Sequence, residues 1–255
     1  MVDTATYLYC VLRSAKKPHA GRVPAGLAGG ARPRLVPAGR SLWLVVSEVP
    51  LERYGAEHLE TALRDLDWVA QIAVAHEAVV EHFARARGTV VPMKLFTMFS
   101  TETRAVSEMA GRRTHIDAVL KRIAGCEEWG VRVMRGAQRP KVHAGEVRSG
   151  AAFLAARKAV RDRALESVVK ASGAAATVFD ELAPLARDAR RRDGAPSGAV
   201  PPLLDAAFLV PAAKRARFRT AARRVAKVCA EAGAEMTLTG PWPAYNFVQP
   251  AEEGA

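Results

Sequence analysis

The residues best placed to do chemistry lie in one short run, HEAVVEH, from His76 to His82. A zinc hydrolase of the HExxH type needs two imidazoles one helical turn apart on the same face, with the glutamate between them as general base. Here the second histidine position is Val80, and His82 comes six residues after His76. At about 3.6 residues per turn that spacing puts the two rings on roughly opposite sides of a helix, so they cannot share an ion. A packed or capping histidine is expected, and a metal-dependent hydrolase around His76 is the weakest functional reading. The glycine-rich stretch AGLAGGAR, Ala25 to Arg32, has neither GxGxxG nor the GK[ST] that would place a lysine and a hydroxyl on phosphates, and it reads as loop. No GxSxG occurs, and Cys10, Cys126 and Cys229 have no histidine near them in sequence. Nothing in the chain demands catalysis; no cofactor and no metal are expected, and the cysteines read as small buried side chains in a reducing compartment.

Two segments carry chemistry suited to binding. Lys214 to Lys227 (KRARFRTAARRVAK) holds seven bases and no acid, with Phe218, Ala221, Ala222, Val225 and Val228 as the opposite stripe. Its functional reading is a nucleic-acid-binding module. The preferred reading is a helix that covers a sheet and leaves its arginines in water, because Phe218 lies on the apolar stripe and no aromatic remains to stack on bases. The tail LTGPWPAYNFV, Leu238 to Val248, stiffens a turn with Gly240, Pro241 and Pro243 and brings Trp242, Tyr245 and Phe247 close together. Such rings either close their own domain's core or anchor a partner. The candidate partner-binding residues are Trp242, Pro243, Tyr245 and Phe247, with Trp129 from the EWGVRV segment.

The elements that position these residues are legible from periodicity. Thr4 to Leu12 alternates and Ser41 to Ser47 is nearly continuous in β-branched and aromatic residues, so both are strands. Ser14 to Arg40 between them holds four prolines and five glycines, a long loop with a short strand at Arg34 to Val36. Apolar residues at three- and four-residue steps predict a helix from Leu59 to Arg87, then a buried strand TVVPMKLF at Thr89 to Phe96. Thr101 offers a cap to a helix running to Ala124, closed by Gly125. Beyond it come a strand at Glu128 to Arg135, a polar loop, and a long helix from Ser149 to Leu185 kinked at Gly173 and Pro184. A connector at 191–202, a strand at Leu203 to Pro211, a helix at Ala213 to Ala232 and a strand at Ala234 to Gly240 complete the chain. The fold class is α+β in two domains: 1–125, an N-terminal α+β domain, and 126–255, a ferredoxin-like α+β domain.

Composition sets the class. The 255 residues are 49% hydrophobic and 25% charged, which is ordinary for a globular protein. The longest uncharged stretch, Met236 to Ala251, is broken by three prolines and a glycine, so no membrane span is expected. The first residues carry an acid and meet Arg13 before a long apolar run develops, so a cytoplasmic location is expected. Lys plus Arg number 38 against 26 Asp plus Glu, a formal charge of +12 that attracts anions without specifying one.

Eight blocks in collinear order, YLYCVL, SLWLVVSEV, AHEAVVEHF, PMKLFTMF, EWGVRV, SGAAFLAAR, LLDAAFLVP and TGPWPAYNF, resemble the GvpF/GvpL family of gas vesicle proteins over nearly the whole chain. EWGVRV and GPWPAYNF are the most specific. The chain departs from the family at Phe96, where a glycine often follows the basic and apolar pair after the proline, so a different backbone is expected there. The resemblance implies two α+β domains, the second a modified ferredoxin-like fold, and a role without catalysis in gas vesicle assembly. It implies contact with the small shell protein GvpA and with other gas vesicle accessory proteins, and a location in the cytoplasm and on the vesicle. No specific nucleic acid and no membrane are implied. A shell protein with one face destined for gas is apolar enough to aggregate, and a partner covering that face would restrain it.

Overall fold

Ten residues from Thr4 to Arg13 form β1, the axis of the first sheet in this computed structural model, which describes residues 3–87, 89–136, 150–192 and 200–248. All eight side chains from Ala5 to Leu12 are buried. An alternating strand buries one face; this one lies between β3 (Leu42–Pro50) and β4 (Val90–Pro92) in an antiparallel sheet whose edge is β2 (Arg34–Pro37), and helices pack over both of its faces. The β1–β3 register shifts between Leu8 and Cys10, a bulge at Tyr9. In consequence Ala5, Tyr7 and Tyr9 point the same way as Cys10 and Leu12, into one core cluster.

Two short helices, α1 (Leu51–Tyr54) and α2 (Ala56–Ala62), precede α3 (Leu66–Arg87). The single helix predicted from Leu59 is interrupted because the Asp65 carboxylate accepts the amides of Asp67 and Trp68, at 3.0 and 3.1 Å, and so caps a new helix. Ile72, His76, Val79, Val80 and Phe83 form the inward stripe of α3 against Tyr7, Tyr9, Cys10 and Leu12. The predicted strand through Phe96 stops at Pro92; a turn follows, and β5 (Met98–Phe99) pairs back onto Tyr7 and Thr6 of β1. Thr101 caps α4 (Glu102–Gly111) through its hydroxyl, which accepts the Arg104 amide at 3.2 Å. That helix breaks from α5 (Arg113–Ile123) next to Gly111, a poor helix former. Ala105, Met109, Ile116, Val119 and Ile123 are buried and face the sheet on the side opposite α3.

These elements make one unit with the residues from 242 onward; residues 128–241 make the other. The tail, read from sequence as part of the second domain, thus groups with the first, where Phe247 is fully buried and Tyr245 packs against the α3 core. In the second unit β6 (Cys126–Arg135) leads to α6 (Gly150–Leu182), a hairpin of β7 (Asp188–Arg191) and β8 (Leu204–Pro211), then α7 (Arg215–Glu231) and β9 (Ala234–Trp242). The sheet order β7-β8-β6-β9 with two helices between strands is the ferredoxin-like split βαβ arrangement. The α+β class is as expected, but β7 was missed: its residues, DARR, look polar, and the strand exists because it pairs with Leu209, Phe208, Ala207 and Ala206 of β8. The α6 helix runs through Gly173, and Pro184 sits in a separate turn after it. Most of the predicted connector and of the polar loop before α6 lies outside the described residues.

Trp129, Val131, Phe208, Phe218 and Val178 anchor the core between this sheet and its two helices. Each fully buried side chain of that size contributes roughly 1.5–3 kcal/mol.

Candidate functional site

The polar residues of the first unit converge on His76. Its Nδ1 lies 2.8 Å from Tyr7 Oη, which also accepts the Phe96 amide at 3.3 Å. Either Nδ1 or the Tyr7 hydroxyl is the donor in that bond, according to the imidazole tautomer. Tyr9 stacks into the same cluster, 4.8 Å from the Tyr7 ring and 5.6 Å from His76, with its hydroxyl 3.0 Å from Ser47 Oγ and accepting the Leu27 amide. From the tail, the Tyr245 ring comes within 6.3 Å of His76.

Burial fixes the protonation states. His76 is 2% exposed, and loss of hydration pulls its pKa down to about 4, although the Met93 backbone favours the charged form. Burial holds the Tyr7, Tyr9 and Tyr245 phenols and the Cys10 thiol above their ordinary values, so all four stay protonated. Tyr245 Oη is buried without a hydrogen bond, and the nearby Glu77 carboxyl is itself raised, first by desolvation and then by Glu81. The neutral imidazole and the protonated phenols are packed inside the first unit, where their hydrogen bonds tie β1 to α3 and to the turn at Phe96. His82 belongs elsewhere: its Nε2 donates to the Ala20 carbonyl at 2.5 Å. Among the described residues, no group of three metal-ligating side chains occurs, and no helix is long and apolar enough to cross a membrane.

At Phe96 the φ angle is +62°, the left-handed region in which a glycine costs nothing. The backbone is therefore glycine-like where a different path was expected. Three contacts hold it: the Tyr7 hydroxyl on its amide, the neighbouring Thr97 amide on the Lys94 carbonyl at 3.2 Å, and its own ring stacked on Trp68, with centroids 5.8 Å apart and planes 3° from parallel.

The five residues singled out for partner contact do not form one surface. Trp129 is buried in the second unit, 6.1 Å from Phe218. Phe247 is fully buried in the first, where its carbonyl accepts from Arg122. Tyr245 and Pro243 are half-buried. Trp242 is the member left in solvent, at 38%. The turn before it depends on Gly240, whose φ is +120° and whose added Cβ would lie 2.8 Å from the Glu128 carbonyl oxygen. On α7, Phe218, Ala222, Val225 and Cys229 turn inward, and most of its bases lie in water, with Arg224 paired to Glu181.

Sequence reasoning missed exposed apolar surface in the first unit. Leu66 and Val74, 79% and 69% exposed, lie two helical turns apart on the outer face of α3, and Val74 lines a groove of about 640 Å³ with Ala70, Ala78, Pro24 and Ala25. The signal was present in the α3 sequence, which carries more apolar positions than one buried stripe can use.

The family model described as gas vesicle synthesis protein GvpL/GvpF matches residues 5–249. A gas vesicle protein L from a Streptomyces species is 31% identical, the match covering 98% of this chain and 95% of that protein. The gas vesicle protein L2 of Halobacterium salinarum is 26% identical over 72% of each chain. The crystal structure of the gas vesicle protein GvpF from Anabaena shares the fold at a TM-score of 0.69 and 17% identity, covering 99% of both chains. That of GvpF from Microcystis aeruginosa does so at 0.65 and 15%, covering 96% of this chain and 99% of the other.

Proposed function

We propose that this chain, which belongs to the GvpL/GvpF family of gas vesicle synthesis proteins, binds the small apolar shell protein GvpA during vesicle nucleation and limits its aggregation. The observation that carries the reading is apolar surface held out in water on a rigid frame: Leu66 and Val74 beside the α3 groove, and Trp242 at the end of β9. Side chains of this kind in solvent gain free energy when a partner covers them, and contiguous exposed apolar surface marks interaction sites. The chain acts in the cytoplasm and at the vesicle, and other gas vesicle accessory proteins are further partners. The cluster around His76 supports this role by fixing the tail that follows Trp242.

Co-expression of the full chain with GvpA, followed by affinity capture and light scattering of the soluble fraction, tests the reading. Capture of the shell protein, with less scattering than when it is expressed alone, is expected. Absence of a complex, together with normal vesicles in a deletion strain, overturns it.

A further inference from the structure

The first half of α6 is a helix with little to hold it. Between Ala151 and Lys170 most side chains are exposed, and the buried contacts of α6 begin at Ala171. In proteins most helical stability comes from packing of one face, and this stretch of α6 runs on from its packed half without such burial. Yet it carries Phe153, Leu154, Val160, Leu165 and Val169, all about half exposed or more, with Leu154 at 66% and Val169 at 72%.

These side chains are not scattered around the helix. At about 100° per residue, all five fall on one half of the circumference. Arg157, Lys158 and Arg161 fall on that same half, and the two arginines lie near its middle. The acids of the stretch, Asp162 and Glu166, fall on the other half with Arg163, Lys170 and the small residues Ala155, Ala156 and Ala159. One face is thus aliphatic and basic with no acid, and the opposite face is small and of mixed charge. Arg157 lies over the Phe153 ring at 5.8 Å and Arg161 lies 3.6 Å from the Asp162 carboxylate. Both are surface contacts of little worth, easily exchanged for stronger ones.

Three kinds of partner could meet such a face. A lipid surface would bury the middle of the apolar arc deepest, taking Arg157 and Arg161 into the acyl region at a cost of several kcal/mol each. A nucleic acid would pair the bases but leave five large apolar side chains in water. An amphipathic protein segment with carboxylates among aliphatic side chains satisfies both halves of the pattern, since carboxylates bind guanidinium groups bidentately while the aliphatic residues interdigitate.

We propose that the face of α6 formed by Leu154, Val160, Leu165 and Val169 around Arg157 and Arg161 is a docking site for an apolar, acidic helix of a partner protein. The proposal rests on the assembly role above and adds to it a surface and a charge rule. The experiment uses the full chain with co-expressed GvpA as the probe. The double charge reversal Arg157→Glu with Arg161→Glu is expected to lower capture of the shell protein at least tenfold, about 1.4 kcal/mol. Leu154→Ser with Leu165→Ser should act alike, whereas Arg163→Glu on the opposite half should leave capture within twofold. Circular dichroism of the variants checks that they fold, as exposure of the altered side chains predicts. In the wild type, amide exchange at 154–169 should slow at least tenfold in the complex.

If the wild type captures GvpA and both double variants capture it equally well, the docking site is wrong and the assembly role stands. If the wild type captures none, both fall. If phosphatidylglycerol vesicles slow amide exchange at 154–169 and GvpA does not, the face belongs to a membrane and the proposal is overturned.

Discussion

Replacing Phe96 separates backbone strain from side-chain packing. At φ +62° a residue with a Cβ costs roughly 1–2 kcal/mol that glycine does not. Against that stands the ring of Phe96, half-buried and stacked on Trp68, where an aromatic pair adds about 0.5–1.5 kcal/mol beyond the burial of its area. Phe96→Ala loses the ring and keeps the strain, so it should destabilise the first unit by about 2–3 kcal/mol. Phe96→Gly loses the same ring and releases the strain, so its loss should be about 1 kcal/mol smaller. Glycine is ordinarily the worse of the two residues, through its greater freedom in the unfolded chain, and here the order inverts. Calorimetry of the two variants, resolving the transition of the first unit, should place the glycine variant a few degrees above the alanine variant. An alanine variant equal to or more stable than the glycine variant would show that the turn is unstrained and the contacts described around it are not what sets its shape.

His76 has a folded-state pKa of about 4 against an ordinary 6.5, so the stability it leaves intact above pH 6.5 is lost as pH falls toward 4. Denaturant titrations at pH 7 and pH 4.5 should therefore differ by about 2–3 kcal/mol more in the wild type than in His76→Gln, and equal differences would refute the buried neutral state. Trp129→Ala should cost about 3–5 kcal/mol of stability, and Trp242→Ala less than about 1, with a measurable loss of GvpA capture only in the second case among folded variants; a melt unchanged in Trp129→Ala contradicts the burial. Gly240→Ala meets both a positive φ and the Glu128 carbonyl, so its thermal melt should fall by an amount equivalent to about 2–4 kcal/mol, and a wild-type melt would contradict the turn geometry.

Much of the framework was legible because its residues obey local rules. Thr101 announced a helix start and its hydroxyl caps one; Gly125, at φ +67°, ends a segment as expected. What escaped notice depended on partners distant in sequence. Asp65 breaks a periodic helix only because its carboxylate meets two amides that periodicity cannot see. The polar strand β7 exists through its ladder with Ala206 to Leu209, and the bulge at Tyr9 turns two adjacent residues toward one core through a register set by β3. The eight buried residues of β1 read as alternating because tyrosine and threonine look polar, yet their hydroxyls are satisfied or shielded by the chain packed on both faces.

The binding surface was harder to read than the fold, for one physical reason. A buried aromatic and an exposed one have the same letter, and the GPWPAYNF segment holds both kinds: Phe247 closes a core while Trp242 stands in water five residues earlier. A cluster of rings in sequence is therefore evidence of rigidity before it is evidence of contact. A surplus is the better guide. Helix α3 carries more large apolar residues than its single inward stripe can bury, and in α6 Phe153 and Val160 continue the line of the buried Ala171, Val178 and Leu182 into a stretch where the side chains stay in water. In α6 the same face gathers bases to the exclusion of acids. Burial within the chain explains neither the surplus nor the sorting of charge, whereas a partner with apolar and acidic surface explains both.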